Sequence, residues 1–117
     1  MQKNSVNKVF LIGHLGADPE SRYTKHGRAV SSFSVATNES WKQQDGQAVE
    51  HTEWHSIIAW DKLAEFSQKY LYKGQLVSIE GRIHTRRWEN KEGEKGKITE
   101  IIVSNITPLE WKKPETS

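Results

Sequence analysis

Five strand-like stretches, some cleanly alternating between apolar and polar residues and others simply rich in apolar ones, are interrupted once by a stretch of helical spacing and set the tightest limit on what this chain can fold into. The first runs from Val6 to Leu15, where Lys8, Phe10, Ile12 and His14 alternate with Val9, Leu11 and Gly13. Val30 to Thr37 places Phe33, Val35 and Thr37 on one face and Ser32, Ser34 and Ala36 on the other. The third stretch, Val49 to Trp60, follows the polar segment Glu39 to Gln47, whose Asp45-Gly46 pair is a hairpin signal. Gln75 to Trp88 and Lys97 to Ile106 complete the set. Successive strand side chains point to opposite faces, so each stretch predicts a strand that feeds a core from one face.

Between the third and fourth stretches, Leu63, Phe66 and Tyr70 recur at helical spacing with Ala64 and Leu71 beside them. Asp61 stands where a helix N-cap belongs and Gly74 where the helix would stop, so one helix of about three turns is expected. Gly16 to Glu20 and Thr24 to Arg28 predict turns, and Gly13 with Gly16 lets a long first strand bend. Strand, strand, strand, helix, strand, strand is the order of an all-β fold: a five-stranded Greek-key OB-fold barrel with one α-helix between strands 3 and 4. With 117 residues and 34% hydrophobic content, the chain has room for one such domain. Residues 1–107 are expected to form it, with 108–117 a short, polar, flexible extension whose apolar residues are Leu109 and Trp111.

The five tryptophans carry the functional argument. If Thr52 to Trp60 is extended, Trp54, Ser56, Ile58 and Trp60 share one face and His55, Ile57 and Ala59 the other. A core can absorb two indoles, and aromatic pairs are usually packing. Trp41 beside Lys42, and Trp88 after Arg86 and Arg87, are read instead as standing in polar loops with little core to enter. Arg82, Arg86 and Trp88 alternate onto one strand face, presenting charge and ring together. Aromatic rings stack on unpaired bases of any identity while Lys and Arg follow the phosphates, so the pattern points to a single-stranded nucleic acid. A sugar-binding OB domain would also use tryptophans, but the interleaved cations favour a polyanion. The formal charge is only +2, and the excess lies in residues 61–117, with eleven Lys and Arg against nine Asp and Glu. For Trp111, docking onto the barrel or simple exposure is expected rather than a fifth platform.

Other classes fall away. Without cysteine there are no disulfides and no thiolate metal sites. The N-terminus lacks a signal peptide and no stretch reaches transmembrane length, so a cytoplasmic protein with no membrane association is expected. His51, Glu53 and His55 share one strand face, but zinc needs three or four converging ligands and no further partner is evident; no metal and no cofactor is expected. The acidic residues are scattered, without the convergence an enzyme requires, so no catalytic residue is assigned.

Asn7 to Glu20, Ala36 to Trp41, Thr52 to His55, Lys62 to Glu65, Tyr70 to Gly74, Ile79 to Arg82 and Thr85 to Trp88 together resemble the bacterial single-stranded DNA-binding protein family. The resemblance covers roughly Val6 to Ile106. It implies sequence-independent binding and protection of single-stranded DNA in replication, recombination and repair, by a homotetramer associated with the nucleoid. It places the base-stacking aromatics on Trp41, Trp54, Trp60 and Trp88, with Trp60 standing where phenylalanine is frequent. Arg22, Lys62, Lys73 and Arg86 would contact phosphates, with Arg87 beside them, and His55 would lie at the subunit interface. Family members usually continue into a linker and an acidic tail that recruits other enzymes. This sequence stops at Thr116-Ser117, so tail-mediated recruitment is expected to be absent, whether the chain is a core or a short member. An OB-fold adaptor of a primosome-like complex, with secondary DNA binding, is the alternative, but it has less need of four separated tryptophans.

Overall fold

The computed structural model describes residues 3–111. Its elements are β1 (Val9–Leu15), β2 (Glu20–Tyr23), β3 (Ala29–Lys42), β4 (Ala48–Trp60), α1 (Lys62–Tyr70), β5 (Leu76–Glu89) and β6 (Lys95–Pro108). The strands form one sheet in the order β1-β5-β6-β4-β3-β2, and β1 also pairs with β3 through His14↔Ala36 and Leu15↔Val35. That second pairing closes β1, β5, β6, β4 and β3 into the expected five-stranded barrel. The remaining strand, β2, is an addition at the free edge of β3, with Arg22 opposite Val30. The alternation does not reveal it, because Glu-Ser-Arg-Tyr is exposed throughout.

Inside the barrel, Val35, Ile57, Ala59, Val77 and Ile79 are fully buried among Leu15, Phe33, Leu71, Ile101, Val103 and Ile106. Each large side chain taken from water contributes about 1.5–3 kcal/mol to folding. The helix closes one end with Ala64 and Ser67 inward, and the buried Ser67 hydroxyl is satisfied by donating to the Leu63 carbonyl at 2.7 Å. The helix ends at Leu71, in extended conformation, and Gly74 instead serves the following turn at φ +87°. Gln75, also fully buried, donates from Nε2 to the Glu110 carbonyl at 2.7 Å, while the Leu109 N–H donates to the Leu76 carbonyl at 2.8 Å. The first residues after β6 are therefore fastened to the barrel. The rest of the extension anticipated from the sequence, 112–117, lies outside the described residues.

Three hairpins turn in the same way. Thr24 bonds to Arg28, Gln43 to Gln47 and Asn90 to Glu94, each backbone N–H donating to the later carbonyl at 2.8–2.9 Å. Gly27, Gly46 and Gly93 occupy the left-handed position in the respective turns. These turns fix the register of the long ribbons β3–β4 and β5–β6. The parallel pair β4–β6 meets only at Ile57↔Ile101 and Ile58↔Ile102, beyond which the ribbons separate. The radius of gyration, 17.1 Å, exceeds the roughly 13 Å of a compact domain of about 100 residues, consistent with two projecting arms.

Candidate nucleic-acid interface

Trp54, Ser56, Ile58 and Trp60 lie on the outside of β4, since the alternate residues Ile57 and Ala59 are in the core. Residues paired across a sheet share a face, and Ile58 pairs with Ile102, which pairs with Arg82. The outer face of β5 therefore continues that of β4, carrying Arg82, His84, Arg86 and Trp88. Across β3 the same face reaches Arg22, because Trp60 pairs with Val30 and Val30 with Arg22. The structure thus brings Trp54, Trp60, Trp88, Arg22 and Arg86 onto one continuous outer surface. Trp41, opposite Val49, falls in the alternate set with Val35 and Thr37 and occupies the other side of its ribbon. It also lies within β3 rather than in a loop, since the strand continues to Lys42.

The indoles are presented rather than packed away. Trp54 is 58% exposed, Trp41 49% and Trp88 40%. Two of them rest on glycines that leave no room for a Cβ. A methyl group on Gly16 would sit 2.5 Å from Trp54 Cζ3, and one on Gly96, which faces Trp88 in the register, would sit 2.4 Å from Trp88 Cε2 and Cζ2. Each glycine thus lets an indole lie close against backbone, while much of the ring stays exposed. Gly96→Ala should accordingly push the Trp88 ring away from the backbone. The fold should tolerate this, because the ring is at the surface, while single-strand affinity falls several-fold. Paired measurements of melting temperature and of oligonucleotide affinity check this; an unchanged affinity would mean that the seating of Trp88 does not matter.

Trp60 differs. The Arg28 guanidinium lies over its ring, Cζ 4.4 Å from the centroid. Arg28 is held by Asp61 through Nε to Oδ1 at 3.2 Å and Nη2 to Oδ2 at 2.9 Å. Asp61 therefore does not cap the helix with its side chain; its backbone sits at φ 57°, ψ −120°, and its carboxylate serves Arg28. The hydrogen bonds from Arg28, reinforced by its charge, hold the Asp61 carboxyl below its ordinary value of 3.8. A depressed carboxyl value means that the pair is intact at neutral pH and is lost only as the pH falls through that depressed value.

The cations divide into two kinds. Arg22, Lys62, Lys73 and Arg87 are exposed and form no ion pair among the described residues. Arg86 donates from Nε to Glu100 Oε1 at 3.0 Å, and Glu100 is only 8% exposed. A carboxylate so buried needs a charged partner, so Arg86 is oriented by Glu100 and offers its remaining N–H groups outward. Lys73 sits in the turn after the helix, where its backbone N–H donates to Asp18 Oδ1 at 2.7 Å. His55 is half-buried with its Nε2 2.9 Å from the Thr37 hydroxyl, whereas His51 pairs with Glu53 at 2.8 Å. Among the described residues no group of three or more His, Asp or Glu gathers as a metal site would require. Trp111 meets Tyr70 edge-on at 5.8 Å, beside the Phe66–Tyr70 contact on the helix.

The Single-strand binding protein family matches residues 6–109. This chain belongs to that family. It is 50% identical over 105 residues to single-stranded DNA-binding protein 1 of Chlorobaculum tepidum, a match covering 89% of this chain and 65% of that protein. It is equally identical over 105 residues to the single-stranded DNA-binding protein of Neisseria meningitidis serogroup A, over 90% of this chain and 60% of that one. The chain thus spans 60–65% of the length of these relatives. Among solved structures, the Plasmodium falciparum SSB in complex with single-stranded DNA superposes with a TM-score of 0.81 at 35% identity, covering 94% of this chain and 100% of that one. A deletion mutant of the Thermus aquaticus single-stranded DNA binding protein gives 0.77 at 35% identity, covering 90% and 51%. No helix among the described residues is long and apolar enough to cross a membrane.

Proposed function

We propose that this chain binds single-stranded DNA without regard to sequence, coating and protecting it during replication, recombination and repair without catalysing a reaction on it. The observation that carries the proposal is the set of indoles held on the outer surface of a barrel whose core is otherwise filled. Trp54 and Trp88 stack on bases directly, Trp41 extends the path onto the other side of its ribbon, and Trp60 contributes from beneath Arg28. Arg22, Lys62, Lys73, Arg86 and Arg87 contact phosphates. The membership of the family and the likeness to a structure solved with single-stranded DNA support this reading.

The protein acts as a homo-oligomer, as a tetramer in the fullest form of the proposal, in the cytoplasm and on the nucleoid. Phe10 and Ile12 support this: they project from the outer face of β1 at 57% and 50% exposure, apolar surface that a second copy would cover. His55 contributes to a subunit contact. Sedimentation equilibrium reads the stoichiometry. The binding proposal is tested by anisotropy of a labelled oligo(dT) and of a matched duplex, with magnesium present. The single strand should be bound tightly and recovered uncut, and the duplex bound weakly. Equal binding of both, or cleavage, would refute it.

A further inference from the structure

The pair of residues over Trp60 is built from two distant parts of the chain. Arg28 closes the β2–β3 turn, where its N–H donates to Thr24 Oγ1 at 3.1 Å and its carbonyl accepts from the Thr24 N–H at 2.8 Å. Asp61 is held by its own N–H, which donates to the Ala29 carbonyl at 2.8 Å, in a backbone conformation that non-glycine residues seldom adopt. Between these anchors the guanidinium makes a two-point contact with the carboxylate and lies over the indole, while more than half of each paired side chain remains exposed. A base arriving at Trp60 from that side meets Arg28 first.

We infer that Arg28 is itself a stacking residue of the interface: a nucleobase packs on the outer face of its guanidinium, completing a column of Trp60, Arg28 and base, with Asp61 as the positioning residue. The inference rests on the proposed binding of single-stranded DNA. A guanidinium is planar and delocalised, and its face stacks on an aromatic ring as readily as on a base. Two of its five N–H groups are held by Asp61, which fixes the orientation of the plane. Because the carboxylate neutralises it, the contact is made with a base face and releases no counterion. This separates it from a phosphate contact. If Arg28 left Asp61 for a phosphate, it would add to the salt dependence of binding, by about 0.7 in the slope of log K against log salt for a single strand.

The test is oligo(dT) affinity across a salt series for the unaltered chain, Arg28→Ala combined with Asp61→Asn, Arg28→Lys and Asp61→Asn, each first checked for an unchanged melting curve. Because Arg28→Ala alone leaves the Asp61 carboxylate uncompensated beside the strand, it is combined with Asp61→Asn, and this double variant should weaken binding about threefold to tenfold at every salt concentration, with the slope unchanged. Arg28→Lys keeps the charge but not the plane and should lose as much. Asp61→Asn alone frees the guanidinium as an uncompensated cation and should steepen the slope. Full affinity in Arg28→Lys, or a shallower slope in the charge-neutral double variant, would identify a phosphate contact and overturn the inference. Unchanged affinity in the double variant while the unaltered chain binds would overturn it too. Failure of the unaltered chain to bind oligo(dT) would instead remove the functional proposal, and this inference with it.

Discussion

Replacing Trp54 by alanine is expected to weaken single-strand binding more than any other single change at the interface. The ring is the most exposed of the outer-surface set, it stands near the root of its ribbon where β4 meets β6, and Gly16 lies against it. The usual worth of a stacked base, about 1–3 kcal/mol, comes from single-strand binders of this same family and was not obtained from this chain. At about 1.4 kcal/mol per decade, that range is roughly fivefold to 140-fold in affinity. The fold should be indifferent, since Trp54 is absent from the core. Equilibrium titration of oligo(dT) at one salt concentration measures the effect. A loss below about twofold would place Trp54 outside the path of the strand, given the range just stated.

The largest effect on stability is expected at Gly13. A Cβ there would lie 2.1 Å from the Ala36 carbonyl oxygen and 2.8 Å from Val35 Cγ1, at the seam where β1 and β3 close the barrel. Unlike the tryptophan rings over Gly16 and Gly96, a backbone oxygen cannot swing aside. Gly13→Ala must part the two strands, and overpacking of this kind costs about 1–3 kcal/mol and occasionally more. For a domain near this size, each kcal/mol lowers the melting temperature by roughly 4–8 °C. Thermal melting at fixed protein concentration, which holds any subunit equilibrium constant, should show the drop. A melting temperature within a degree or two of the unaltered chain would mean the seam is looser than its geometry indicates.

The contrast between these glycines explains how much of the molecule was legible in its sequence. Alternation and apolar content located the five barrel strands, and helical spacing located the helix, because burial on one face leaves a periodic trace. β2 leaves none, since a short strand at an edge with every residue exposed has no buried face to mark it. The local turns carried more than was taken from them. Once Asn90 to Glu94 is recognised as a five-residue turn with glycine in the left-handed position, the register follows, and with it Gly96 beneath Trp88 and Glu100 within reach of Arg86. Trp41 on the opposite side of its ribbon follows from the same count.

The contacts that stayed hidden are those between segments the sequence does not tie together. Gly16 looked like a bend and proved to lie against the Trp54 ring. Asp61 stood at a helix start and looked like a cap, yet its side chain is drawn away by Arg28, 33 residues earlier. A capping position is a local preference, and a two-point contact with a guanidinium from another turn overrides it. That Trp41, Trp54 and Trp88 stand at the surface was recognisable, because large aromatics set among cations have little core to enter.

Tryptophan fluorescence tests the central claim most directly: that exposed indoles stack on unpaired bases. The chain is titrated with oligo(dT) and with a matched duplex, at low and at high salt. Deep quenching by the single strand that survives high salt, with little quenching by the duplex, is the predicted result. Weak quenching that disappears as salt is added would mean that phosphate attraction alone holds the strand, and would contradict the account.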